Sequence, residues 1–472
     1  MDDLQVESTA APTNTTTHPY NVVTNENLNE VFHVIIGMIV FFMQAGFAFL
    51  EAGSIRSKNT TNILVKNLMD VFIGAVSFWA IGYALAFGKG TPFFGTEYFF
   101  LIGLPLTGYS YWWYHYVYAA TASTIVSGAV AERTAFGGYL IYSSIITAFI
   151  YPIVVHWAWD PQGWLLYGVG KVHYEDFAGS SVVHCVGGVT SLTGAFILGP
   201  RIGRFDENGK PKTIPGHTVP LVALGGFILI FGLFGFNVGS QFRVTFYGGG
   251  PVAALIAVNT AMACSGGGLT ALLIKRLHPK IGGNSWSLLV CLNGSLAGIV
   301  SICASCNAVY PWAALLIGAI AATAYVCWSE IFLRCKIDDP LDAAAVHMGA
   351  GIWGVIAQPI FNFKTSIFYT GFTALSWARF GWNLLGLGCI ILWTGLTSGL
   401  MFYLLNKFGM FRVSEEIELK GLDLPIHGEP AYPRAAYGSG WGMDDDYDVE
   451  ESIILLKQRK TSVPEQDQEE KE

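Results

Sequence analysis

Two stretches of the 472-residue chain carry the same chemistry-bearing skeleton. Asp176-Phe-Ala-Gly-Ser-Ser-Val-Val-His184 is followed by Gly187 and Gly188, and Asp339-Pro-Leu-Asp-Ala-Ala-Ala-Val-His347 by Gly349 and Gly351. In each, an Asp stands eight residues before a His that follows a Val, with small residues between and after. A carboxylate at a helix start accepts backbone N–H bonds and caps the helix. That is the direct expectation for Asp176 and Asp339, and for Asp342 one turn further in. Asp176 could also hold an outer mouth open electrostatically for a cation. Eight helical residues rise about 12 Å, so each His would lie deep within its helix. A lone buried His most often makes a structural hydrogen bond between helices. A pair at equivalent positions points instead to a pore for a small polar solute, a proton relay or a metal site. A metal would want a third and fourth ligand, and only Cys185, on another helix face, is at hand. Imidazole donates and accepts while uncharged, so the pore or relay is the stronger reading.

The elements that must position these residues are membrane spans. Charged residues make only 13% of the chain, hydrophobic residues 52%, and the mean hydropathy is +0.46. A soluble multidomain enzyme has about twice that charge and is excluded. The net charge of −8 belongs to the ends: residues 409–472 hold 16 acids and 7 bases, and residues 1–30 hold 5 acids and no base. Residues 31–408 are left with 19 bases and 13 acids. A span needs about 20 mainly apolar residues. Eleven windows qualify: 31–52, 67–88, 112–131, 136–157, 178–199, 216–240, 249–274, 285–303, 309–333, 341–361 and 379–408. The expected fold is an all-α integral membrane protein of eleven transmembrane helices.

Alternate connections hold thirteen and five Lys or Arg residues. The basic set, which includes Arg56, Lys66, Arg133, Arg201 and Arg334, is assigned to the cytoplasm. The N-terminus is then outside and the C-terminus inside, with Asp176 and Asp339 on opposite faces. Spans 1–5 and 6–10 read as an inverted 5+5 repeat plus one extra helix, an arrangement that places the site near the midplane between the halves. Residues 1–30 lack the basic and apolar regions of a cleaved signal, and form an extracellular segment whose Asn14-Thr-Thr sequon faces outward. The Asn59-Thr-Thr sequon falls in a cytoplasmic loop and is expected to be silent. Residues 31–408 are the membrane domain and 409–472 a cytoplasmic tail, acidic and disordered from 433 onward. The eight cysteines show no disulfide pattern, and the lone Cys303–Cys306 pair lacks a second ligand pair for zinc.

Five further segments complete a pattern. They are Met43-Gln-Ala-Gly-Phe-Ala-Phe-Leu-Glu-Ala-Gly53 with Arg56, Lys58 and Asn59; Gly128-Ala-Val-Ala-Glu-Arg133; Phe234-Gly-Phe-Asn-Val-Gly-Ser240; Asp338 ahead of the second skeleton; and Gly421-Leu-Asp-Leu-Pro-Ile-His-Gly-Glu-Pro-Ala-Tyr432. With the two skeletons, they resemble the ammonium transporter family, the Amt branch of the Amt/Mep/Rh superfamily, over about residues 31–432.

The resemblance implies a plasma-membrane homotrimer with one pore per subunit, transporting NH4+/NH3 across the bilayer. It implies no cofactor, no metal, no nucleic-acid partner and no enzymatic reaction. His184 and His347 match the twin pore histidines, and Asp176 the outer-mouth aspartate. Trp159 and Ser240 match the residues that hold the ammonium ion, and Phe236 one ring of an aromatic gate. Tyr118 stands at the other gate position, where many members carry Phe, with Tyr114 one turn earlier. Leu233 stands where bacterial relatives often have Trp, and Pro425 where plant relatives often have Thr. Residues 412–432 match the family's regulatory stretch. Two other classes stay open on the sequence: a sensor that signals through its long tail, and a conduit for CO2 or methylamine. The Trp159–Ser240 pair favours a cation-recruiting type.

Overall fold

The computed structural model describes residues 19–278 and 285–432. The Asn14 sequon and the acidic stretch from 433 onward lie outside the described residues. Among the described residues the chain is helical, with isolated β-bridges and no strand. Each of the eleven predicted windows falls on a helix. The first two begin earlier than expected: one helix runs Pro19–Phe41 into Met43–Ser54, and the next starts at Thr60. Lys66, counted above among the connection bases, therefore sits inside a helix. It is buried there, and its ammonium donates to the Thr134 carbonyl at 2.8 Å.

Among the described residues, eight helices are long and apolar enough to cross a membrane, and Leu288–Ile302 and Ala345–Phe361 are shorter apolar helices. The molecule is a multi-span membrane protein. Tyr109–Ala129, the helix of the third predicted window, is not among these eight. Every residue from Tyr114 to Ala129 is buried, so protein, not lipid, surrounds this helix and its Tyr, Ser and Thr side chains find partners. At the periphery the reverse holds. Ala374–Lys407 presents Leu385, Leu392, Leu396 and Leu400 outward, a continuous apolar face suited to hydrocarbon.

Close packing in lipid relies on small residues that let backbones meet. A methyl group on Gly225 would lie 2.1 Å from the Leu50 nitrogen, and this contact locks Val219–Gly239 against Met43–Ser54. The glycines after each histidine do the same at the centre. A Cβ on Gly188 would meet the Met348 nitrogen at 2.2 Å, and one on Gly351 the Ser180 carbonyl at 2.4 Å. The small residues in the two skeletons thus bring the two histidine-bearing helices to backbone contact.

Candidate functional site

Both histidines lie on π-helical turns, Ser180–Cys185 and Ala345–Gly349. Such wide turns are rare and concentrate at functional sites. The imidazoles stack with centroids 5.2 Å apart and 20° between planes, and their Nδ1 atoms are 3.2 Å apart. One Nδ1 must donate and the other accept, so the pair fixes opposite tautomers. The His184 Nε2 is buried without a hydrogen-bond partner among the described residues. Both rings line a narrow cavity of about 30 Å³, walled mainly by apolar side chains such as Phe47, Leu229, Leu233 and Val346. A cavity of that size admits one or two molecules as small as water.

At one end of this lumen the rings continue. His184 is followed by Phe236 at 5.4 Å, and Phe236 stacks on Tyr118 at 4.0 Å and 21°. Tyr118 meets Trp159 edge-on at 6.3 Å and Tyr114 at 4.6 Å. The Tyr118 hydroxyl donates to the Phe236 carbonyl at 2.5 Å, accepts from Tyr114, and lies 3.2 Å from the Ser240 hydroxyl. Ser240 in turn donates to the Phe236 carbonyl at 2.9 Å. The Trp159 indole N–H is held by the Asp176 carbonyl at 2.8 Å. All five predicted binding residues are therefore brought together. The structure adds neighbours that spacing gave no reason to choose: Phe242 and His115 stack 5.3 Å apart, and His115 lies 6.2 Å from Trp159.

Asp176 accepts from the backbone of Gly179, Ser180, Ser181 and Val182 at 2.7–3.1 Å and from the Ser181 hydroxyl at 2.6 Å. Asp339 accepts from the Ala343 and Ala344 nitrogens at 3.0 and 2.7 Å. Asp342 differs from its expected capping role. Its backbone adopts a φ of +58°, which turns the carboxylate away from its own helix. It accepts from the Ser329 hydroxyl at 2.7 Å and the Tyr325 hydroxyl at 3.1 Å, with the Asn293 amide at 3.5 Å. Asn293 also lines the lumen, and so does Glu51, which sequence reading placed only in a motif.

Beyond the Asp342 end of the lumen, opposite the rings, lies a face of paired charges. Glu132 meets Arg56 at 3.0 Å and Arg201 at 2.8 Å, and Asp338 meets Arg201 at 2.7 Å and Arg204 at 3.1 Å. Burial pushes the Glu132 carboxyl up, but Arg56 and Arg201 overcome it and hold it at about 2. Arg201 likewise outweighs burial at Asp338 and keeps its carboxyl well below the usual range. The 412–432 stretch docks on this face. Lys58 donates to the Leu419 carbonyl at 2.5 Å, Asp423 accepts from the Thr61 and Asn62 nitrogens, and Glu418 accepts from the Ile202 nitrogen at 2.7 Å. Asn59 of the second sequon is buried between Glu132 and the Leu422 nitrogen.

Fold and site define a multi-span helical membrane protein whose narrow lumen is apolar except for two paired imidazoles and a few polar groups at its Asp342 end. The chain belongs to the ammonium transporter family. The family model described as "Ammonium Transporter Family" matches residues 31–432. Among curated proteins, "Putative ammonium transporter 1" of Caenorhabditis elegans is 44% identical over 438 residues, covering 88% of this chain and 81% of that one. "Ammonium transporter Amt2" of Archaeoglobus fulgidus is 40% identical, covering 85% and 88%. Among solved structures, "Sensor Amt Protein" aligns with a TM-score of 0.79 at 34% identity, covering 86% of this chain and all of that one. Saccharomyces cerevisiae Mep2 aligns with a TM-score of 0.71 at 25% identity, covering 82% and 87%. The family transports ammonium; it is not a family of enzymes.

Proposed function

We propose that this chain moves ammonium through the His184–His347 lumen as NH3, after NH4+ has been held and stripped of a proton at the Trp159 end. In this reading eleven helices cross the plasma membrane, spans 1–5 and 6–10 are inverted repeats, the N-terminus lies outside, and three subunits form a trimer. The Trp159 end then faces outward and the Asp342 end faces the cytoplasm.

The observation that carries the proposal is the imidazole pair, with a 3.2 Å Nδ1 separation in a passage walled mainly by apolar side chains. An intact NH4+ would lose its hydration there at large cost, whereas NH3 needs only neutral donors and acceptors. The outer site supplies the opposite preference. Ring faces of Trp159 and Tyr118 attract a cation by about 0.5–2 kcal/mol, and the hydroxyls of Ser240 and Tyr118 offer oxygen lone pairs. Tyr114 supports Tyr118 through its hydroxyl, and the Tyr118–Phe236 stack closes the way to the histidines. Asp176 has its lone pairs taken by backbone and Ser181 donors, so it acts by shaping the mouth and fixing Trp159 rather than by direct capture. K+ has no proton to shed and is excluded by the same passage.

The test is flux in proteoliposomes carrying the full chain, with ammonium, Na+ or K+ as the only gradient. Ammonium alone should evoke nitrogen uptake, and His184→Ala or His347→Ala should abolish its selectivity. Wild-type uptake and K+ exclusion in both variants would sink the histidine-pore reading.

A further inference from the structure

The lumen wall carries a carboxylate that the mechanism above leaves idle. Glu51, near the end of the Met43–Ser54 helix, is 2% exposed and lines the same cavity as His184 and His347. Its oxygens accept from the Asn67 amide at 2.8 Å and from the Ser127 hydroxyl. Both donors are neutral, and no cation lies within ion-pairing distance among the described residues. Ionisable groups at membrane depth are costly and mark ion or proton paths. A purely structural clamp between three helices would not need a carboxylate: an amide joins Asn67 and Ser127 at lower cost. A second observation points the same way. The His184 Nε2 has no hydrogen-bond partner among the described residues, although it borders this lumen and is fully buried. The titratable groups around Glu51 are His184 and His347 on the lumen, Lys66 and Asp70 on the Thr60–Ser77 helix, Tyr139 and Tyr142 on the Phe136–Ile145 helix, and Asp342 near the Asn293 wall. Lys66 is engaged by the Thr134 carbonyl, and Asp70 by Tyr139 and Ser143 at 2.5 and 2.6 Å. Glu51 is the carboxylate that faces the passage directly.

We propose that Glu51 is the proton station of the exit half of the pore. It takes the proton that the histidine pair passes on and returns it to NH3 at the Asp342 end. In the first transfer an imidazolium N–H bond breaks and a carboxyl O–H bond forms, leaving neutral imidazole and a neutral acid. In the second, that O–H bond breaks, NH3 becomes NH4+, and the carboxylate is restored. One NH4+ is consumed at the Trp159 end and one is released at the other, so charge crosses with nitrogen. This inference rests on the histidine-pore reading and deepens it.

The experiment measures ammonium-evoked current and uptake of isotopically labelled ammonium together, in proteoliposomes of wild type, Glu51→Gln and Glu51→Asp. Wild type should carry about one charge per nitrogen. Glu51→Gln keeps the shape and both hydrogen-bonding partners, so nitrogen uptake should persist while current falls on the order of a hundredfold, the scale of a lost general acid–base group. Glu51→Asp should move the pH profile of the current, whereas removal of a mere clamp scales its amplitude without moving it. The station is overturned by a wild-type charge-to-nitrogen ratio in Glu51→Gln, by a folded Gln variant that loses both signals in proportion, or by an Asp variant with an unmoved pH profile. Nitrogen uptake without current in wild type overturns it too, yet leaves the histidine pore standing. Absence of any ammonium uptake in wild type would sink the histidine-pore reading instead.

Discussion

The two histidine-bearing segments share a skeleton and a π-turn but differ in what surrounds them. Around His184 the leading carboxylate, Asp176, is saturated by five hydrogen bonds, and the ring leads on to Phe236, Tyr118 and Trp159. Around His347 the leading carboxylate, Asp339, accepts two backbone bonds, while Asp342, Asn293 and Glu51 bring polar atoms to the same end. An approximately repeated core therefore connects an aromatic vestibule to a carboxylate-bearing one. Ring faces and hydroxyls suit capture of a desolvated cation, and carboxylates suit return of a proton. In the proposed reading the direction of chemistry along the lumen is set by the flanks, because the histidine pair itself is nearly symmetric.

The sharpest way to break this comparison is to remove the two leading carboxylates separately. Asp176→Ala exposes five donors to a buried site, and should cost on the order of 3 kcal/mol or more. Asp339→Ala loses two N-terminal bonds, worth about 0.5–2 kcal/mol. In detergent, the midpoint of thermal unfolding should fall clearly further for Asp176→Ala, and ammonium uptake should fall in that variant because the 176–182 turn that places the carbonyl holding the Trp159 indole loses its carboxylate anchor. Equal midpoints in the two variants would mean that the segments are energetic equivalents, and that the difference in hydrogen bonding carries no weight.

A smaller effect distinguishes capture from passage. Ser240→Leu removes a hydroxyl that serves the vestibule but leaves the imidazole pair untouched. A hydrogen bond to a charged group is worth about 1.5–3 kcal/mol, so the half-saturating ammonium concentration should rise about tenfold or more with a lesser change in maximum rate. Concentration series in the same proteoliposomes report both quantities. A change confined to the rate would move the recruitment site away from Ser240.

The parts of this arrangement that the sequence made legible share one property: they are carried by residue types whose use is narrow. Two Asp–His skeletons with trailing glycines pointed to a site between two halves of the chain, and apolar windows announced the rods. The Tyr109–Ala129 helix was found only because the window was generous, since its burial inside protein relaxes the demand for hydrophobicity. Asp342 was misread as a cap because spacing along a chain does not reveal a left-handed backbone that turns the side chain towards Tyr325 and Ser329. Glu51, His115 and Phe242 were missed for a related reason. Their roles come from neighbours far away in sequence, such as Asn67 and Ser127 for Glu51. Lys66 was counted as a loop charge because a lone Lys at a window edge looks solvated, whereas the Thr134 carbonyl gives it a buried partner.

The charged face beyond the Asp342 end offers the gentlest test, because its pairs sit at the loops and do not line the lumen. Glu132 is held at about 2 by Arg56 and Arg201, against an ordinary value of about 4.3 in the unfolded chain. A folded value below the unfolded one means that the pair stabilises fully above about pH 4 and progressively less as pH falls towards 2. The shift corresponds to stability on the order of 2–3 kcal/mol at neutral pH. Wild-type protein in detergent should therefore lose thermal midpoint between pH 6 and pH 3. Glu132→Gln should start lower at pH 6, because it leaves the buried Arg201 with Asp338 as its remaining partner, and should lose less on acidification. Asp338 is depressed by the same guanidinium, so some acid sensitivity should survive in the variant. Parallel curves for the two proteins would assign the acid response to Asp338 and other groups. Since the 412–432 stretch docks on this face through Lys58, Asp423 and Glu418, its protection from protease should weaken over the same pH interval if the paired charges of the loops are what hold its docking surface together.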